Sequence, residues 1–258
     1  MFKTRQFKLA VSVLVIALAM FFGIYTLNSV LVAGLISLAS IYLFIHSQLV
    51  SKKPRDIVLK MLRVAMWLGL GIGYSDVMVR IFGYSLAYIL PGIIITILGV
   101  AVICWHELSS ERSQAVEHGI SMSLIWLGLS WASLVLAYYH WPVALILPIV
   151  WIGQFLIALW WAASLGQKAE FLAAVWAVVV VELVWVGSRW VSLYQLPKLG
   201  LVLSQSSVLA LSMGYSLGGL YFHRQNKKLT KPLVFEYFAI TAIVVILVII
   251  MTKWSNTP

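Results

Sequence analysis

Apolar runs of about twenty residues recur along almost the whole chain. A hydrocarbon core about 30 Å thick is crossed by about 20 helical residues, and inside it every backbone N–H and C=O must be bonded within the protein. Nine such segments can be drawn, at 9–27, 29–50, 62–82, 84–106, 120–139, 143–164, 170–193, 199–222 and 233–252. They take up about three quarters of the 258 residues and leave no stretch large enough for a soluble domain. The expectation is an all-α, polytopic membrane bundle of about nine transmembrane helices, forming one transmembrane domain over 1–258. Outer-membrane barrels are excluded, because their strands read as short alternating segments rather than long apolar runs.

Composition supports the same class. Hydrophobic residues make up 62% and charged residues 10%, against about half and about a quarter in a soluble domain. Disorder, which needs low hydrophobicity and high net charge, is excluded by the same figures. The run from Leu9 to Leu27 is longer than a secretory signal core and lacks an A-x-A site, so it reads as a retained first span.

The formal charge of +10 is concentrated between spans. With the N-terminus inside, the cytoplasmic side collects 14 of the 18 Lys and Arg residues, and the opposite side only Arg80, Arg189, Lys198 and Lys253. That asymmetry sets the orientation as N-terminus in and C-terminus out. These bases are expected to touch anionic lipid headgroups, and no nucleic-acid partner is implied. The external turns are short and aromatic, as at Tyr138-Tyr139-His140-Trp141, which suits the headgroup boundary. A single cysteine, Cys104, allows neither an internal disulfide nor a cysteine-rich metal site.

Three stretches share a rising tryptophan-bearing segment, an aromatic turn and a Leu-Pro pair: Trp67 to Pro91, Trp126 to Pro148 and Trp176 to Pro197. They predict three parallel two-helix hairpins in segments three to eight, each with proline in the first turn of its descending helix. Convergence on that local role of proline, without duplication, is an equally good explanation.

Ionisable residues inside a span mark candidate sites, because each costs about 2.5–3.5 kcal/mol at the helix centre on insertion scales. Asp76 and Arg80 lie four residues apart on segment three, and Glu182 and Arg189 seven apart on segment seven, each pair on one helical face. Counted back from the three Leu-Pro pairs, Asp76, Ser133 and Glu182 fall at the same offset. One reading makes these three residues a substrate- or ion-binding site, with Arg80 and Arg189 at its mouth. The other makes Asp76–Arg80 and Glu182–Arg189 neutralised pairs that hold helices together. His106-Glu107 with Glu111 and Glu117-His118 lacks the second histidine of a zinc-protease motif and reads as a solvated loop. No metal site and no cofactor are implied.

Gly69-x-x-x-Gly73 and Gly214-x-x-x-Gly218 are devices for close helix approach, inside the bundle or in a homodimer face. Ser204, Gln205, Ser206, Ser207 and Ser216 give segment eight a hydrophilic stripe that must face other helices, which makes that segment central. The signatures of mitochondrial carriers, phosphatidic-acid-type phosphatases, prenyl-protein proteases and microbial rhodopsins are incomplete or missing, as is any nucleotide-binding loop.

The functional expectation is a small transporter or lipid-handling protein with an outward-facing polar cavity built from segments three, five and seven. Asp76 and Glu182 would bind a cation or proton there, and the arginines an anionic headgroup of a solute or lipid substrate. A non-catalytic assembly or accessory protein with a membrane-protein partner is the competing class. An intramembrane enzyme ranks third, because no nucleophile–base pair is present.

Overall fold

The structure is a computed structural model that describes residues 54–83, 114–164, 169–190, 193–196 and 201–252, with a few positions between 91 and 102. Segments one and two and most of segment four lie outside the described residues. The described part is 87% helical, which settles the all-α class. Its helices are α1 (Pro54–Phe82), α2 (Gln114–Tyr138), α3 (Val143–Ser164), α4 (Ala169–Gly187), α5 (Gln205–Gln225) and α6 (Lys231–Met251). A two-stranded antiparallel ribbon, β1 (Leu193–Leu196) and β2 (Leu201–Ser204), joins α4 to α5. The chain divides into two units, Met1–Arg112 and Ser113–Pro258.

In the first unit, α1 begins eight residues ahead of the expected span. Pro54 opens it, a position where the missing N–H has no helical partner in any case. Its 29 residues make a rod about 44 Å long, more than a bilayer core requires. The basic residues Arg55 and Lys60, expected in a cytoplasmic loop, therefore lie within the helix, and Arg63, at the inner end of the expected span, is buried. The helix stops at Gly83, whose φ of 88° is left-handed and whose N–H bonds the Val79 carbonyl at 2.8 Å, a glycine end of the usual kind. Tyr74, Val77, Met78 and Val79 form its buried face, and the Trp67 ring lies against the backbone of Gly99.

In the second unit, α2, α3, α4 and α5 close a ring in which each helix packs on the next and α5 returns to α2; α6 packs on α5. Of the residues in each span, 61% are buried in α2 and only 6% in α6, so α2 is the centre and α6 the outer helix. Leu124, Leu127, Leu129 and Leu134 of α2 are fully enclosed. Among the described residues, four helices are long and apolar enough to cross a membrane: Val116–Tyr138, Val143–Ala162, Glu170–Gly187 and Lys231–Met251.

Two expected spans change shape. Segment seven ends at Gly187 rather than 193, and segment eight begins at Gln205 rather than 199. After Gly187 the chain tightens into three-residue turns, with Arg189 N–H on the Val186 carbonyl and Trp190 N–H on that of Gly187. The Ser188 hydroxyl also takes the Trp185 carbonyl at 2.6 Å. Beyond this, Leu193 pairs with Ser204 and Leu196 with Leu201, and β2 packs on α2 and α5. A short apolar run such as Leu201-Val202-Leu203 reads equally well as strand or helix, so periodicity alone could not separate them.

The second Leu-Pro pair does not open its helix. Pro148 is the sixth residue of α3, inside the helix, where it leaves the Ala144 carbonyl without its usual donor. Pro197 lies outside the described residues. The first-turn explanation therefore fails for Pro148, and the three-hairpin repeat gains no support from this context.

Candidate functional site

The polar interior of the second unit gathers at the start of α5. Ser204 is its N-cap: the Ser204 hydroxyl accepts from Ser207 N–H and the Ser207 hydroxyl from Ser204 N–H, each at 3.1 Å. This reciprocal arrangement satisfies two backbone donors that a helix start otherwise leaves open. The cap is tied sideways to α2. Ser133 bonds Ser206 at 3.1 Å, Ser130 donates to Ser207 at 3.5 Å, and Ser204 donates to the Leu129 carbonyl at 3.4 Å. All five serines are buried. Gln205 then bridges two more helix ends, donating to the Gly187 carbonyl of α4 at 3.5 Å and accepting from Thr252, the C-cap of α6, at 3.3 Å.

Two further polar links cross between helices. Trp176 of α4 donates to Gln154 of α3 at 3.2 Å, both buried. Ser216 of α5 bonds Thr241 of α6 at 2.6 Å and donates to the Tyr237 carbonyl at 3.1 Å. Small residues bring α5 close to its neighbours. A methyl on Gly214 would meet Met122 and Trp176, and one on Gly218 would meet His118 and Trp161. The space beside Ser121, Met122, Trp161 and Trp176, between α2, α3 and α4, does not admit a water molecule.

The residues singled out from the sequence fall in different settings. Asp76 and Arg80 are brought together on α1, with the guanidinium Nε 2.9 Å from a carboxylate oxygen and the side chains 25% and 48% exposed. Ser133 is buried and bonded within the serine cluster. Glu182 is exposed on α4, and Arg189 is exposed just beyond its end. Among the described residues these two form no ion pair. Asp76 and Arg80 belong to the first unit, and the other three to the second. His106, Glu107 and Glu111 lie outside the described residues, whereas Glu117 and His118, expected in the same solvated loop, lie in α2 with Glu117 buried; among the described residues no three His, Cys, Asp or Glu side chains gather as a metal site.

Sequence reasoning picked out the polar stripe of α5 but not what it meets. Ser130-x-x-Ser133 on α2 was the available signal, since residues three apart share a helical face. Nothing in the sequence pairs Gln154 with Trp176.

Searches against family profiles, characterised proteins and solved structures find no match for this chain. The class rests on the molecule itself: an α-helical integral membrane protein with a serine-rich cluster locking one end of its second unit.

Proposed function

We propose that this chain is a multi-pass membrane assembly or accessory protein, which holds helices together within itself and against a membrane partner and makes or breaks no covalent bond. In this reading it threads the bilayer nine times, with the N-terminus cytoplasmic and the C-terminus external. Its cytoplasmic Lys and Arg rest against anionic headgroups. The carrying observation is the destination of the interior polar groups: Ser130, Ser133, Ser204, Ser206 and Ser207 spend their hydrogen bonds on one another and on the backbone. Such a cluster fixes helix register and leaves its members engaged. The test is purification of the tagged full chain in a mild detergent from its own membranes. The expected result is a second integral membrane protein in fixed stoichiometry. A monodisperse 28.8 kDa species would overturn the reading.

A second reading, a small transporter or lipid-handling protein, is favoured by one observation: the Asp76–Arg80 pair is only partly covered, on a helix that also buries Tyr74 and Met78. It predicts solute- or cation-dependent flux in vesicles containing the purified chain. That flux would be lost in Asp76→Asn and Glu182→Gln, with membrane insertion unchanged.

A further inference from the structure

The two faces of α4 are sharply different. Ala173, Trp176, Ala177, Val180 and Val184 are buried and lie on one side. Phe171, Val175, Val178, Glu182 and Trp185 are exposed and follow one another at steps of four, three, four and three residues. That spacing is a heptad seam, the pattern by which one helix receives another. At 100° per residue Glu182 sits at the centre of the seam, opposite the buried face. It is also deep: three and a half residues past the midpoint of Glu170–Gly187, about 5 Å along the axis. An exposed carboxylate at that depth, in an otherwise apolar stripe, meets lipid unless something covers it. Among the described residues it has no hydrogen-bond or ion-pair partner. Arg189 lies two residues beyond Gly187, where headgroups are in reach, so it does not answer the charge at Glu182.

We infer that the outer seam of α4 is a docking face for a transmembrane helix of a partner protein that carries an arginine or lysine at the depth of Glu182. The inference rests on the assembly reading above and names the chemistry of the partner. Charge complementarity decides the occupant. A second copy in the same orientation would bring Glu182 against Glu182, and lipid tails offer the carboxylate nothing. A lone basic residue on the incoming helix removes both exposed charges from lipid at once. Val178 and Trp185, one turn to either side, supply the apolar contacts that exclude water around the pair.

The full chain, carrying Cys104→Ser and an acceptor dye at its C-terminus, is reconstituted in phosphatidylcholine vesicles. The probes are two donor-labelled oligo-leucine transmembrane peptides, one with a single arginine at the matching depth and one without. Polar pairs between membrane helices predict roughly three- to thirtyfold tighter association of the arginine peptide. Glu182→Gln brings the two peptides to parity. As a second measurement, with a copper–phenanthroline oxidant added, Val178→Cys forms a disulfide with a cysteine one turn from the peptide's arginine, whereas Phe235→Cys on the exposed face of α6 does not. Equal binding of both peptides by the unaltered chain would overturn the inference. So would energy transfer between differently labelled copies of the chain that Glu182→Gln abolishes, since the occupant would then be a second copy. Recovery of a stoichiometric native assembly without arginine preference removes the seam and leaves the assembly reading standing. Arginine preference in a chain that purifies alone does the reverse.

Discussion

Replacing Gly218 by alanine tests the packing of α5 against the rest of its ring. An added methyl would stand 2.5 Å from His118 Cε1, 3.0 Å from Trp161 Cζ2 and 3.1 Å from His118 Nδ1. Carbon atoms rest at about 3.5–4.0 Å, so the helices must part by about 1 Å or the rings must turn. The two rings lie beside each other, with centroids 5.9 Å apart, so a shift of one also disturbs the other. Overpacking of this kind costs about 1–3 kcal/mol, while exchanging glycine for alanine in a helix returns up to about 1 kcal/mol. The clash should win, with a net loss of up to about 2 kcal/mol. Gly69 on α1 supplies the internal control, because a methyl there meets nothing within 4 Å and only the helix-propensity gain applies. The expected order of stability is Gly69→Ala at or above the unaltered chain, and Gly218→Ala below it. The assay is reversible unfolding of each detergent-solubilised variant by sodium dodecyl sulfate, followed by the fluorescence of the chain's 12 tryptophans. A Gly218→Ala protein that unfolds at or above the parent's midpoint would refute the close approach of α5 to α2 and α3.

Other perturbations separate the roles of the polar contacts. Trp176→Phe keeps the apolar ring but leaves the buried Gln154 carbonyl without its donor at 3.2 Å, and should cost about 1–2 kcal/mol in the same titration. Unchanged stability would mean that the bond is not formed in the membrane. Ser204→Ala removes the cap of α5 together with its links to Ser206 and Leu129, and should cost about 1–2 kcal/mol. Its clearest signature is faster amide exchange over the first turn of α5. If that turn exchanges as slowly as before, the cap is not what holds it. Asp76→Asn should shift stability by less than about 1 kcal/mol, since the pair with Arg80 is partly exposed and local to one helix. A larger loss would show that the carboxylate holds something beyond its own helix.

Hydropathy and charge made the class of protein legible, because a bilayer imposes one length and one bonding requirement on every segment that crosses it. Segment six, 143–164, coincides with α3 to the residue, segment nine agrees with α6 to within two residues, and segment five ends within a residue of α2, which begins six residues earlier than expected. Their ends are marked by sequence: Pro142 ahead of α3, Thr230 and Pro232 at the start of α6. The glycines of α5 were likewise readable as close-contact positions, although which neighbours they admit was not. Where hydropathy ceased to discriminate, the reading failed. The start of β2, Leu201-Val202-Leu203, is as apolar as a helical segment, and only its pairing with Leu193–Leu196, with β2 resting on α2, made it a strand.

Polar residues show the division most plainly. That serines within an apolar segment must find partners follows from the solvent, and so was determined by sequence. That Ser133 of α2 would meet Ser206 of α5, 73 positions away, was decided by the ring of helices. The heptad steps of α4 were present in the sequence too, but which stripe faces out depended on where α3 and α5 came to rest. A helix carries its own periodicity in its residues, whereas the choice of buried face belongs to the neighbours that cover it. Glu182 lies outside because Trp176, Ala177 and Val180 are the side chains those neighbours enclose.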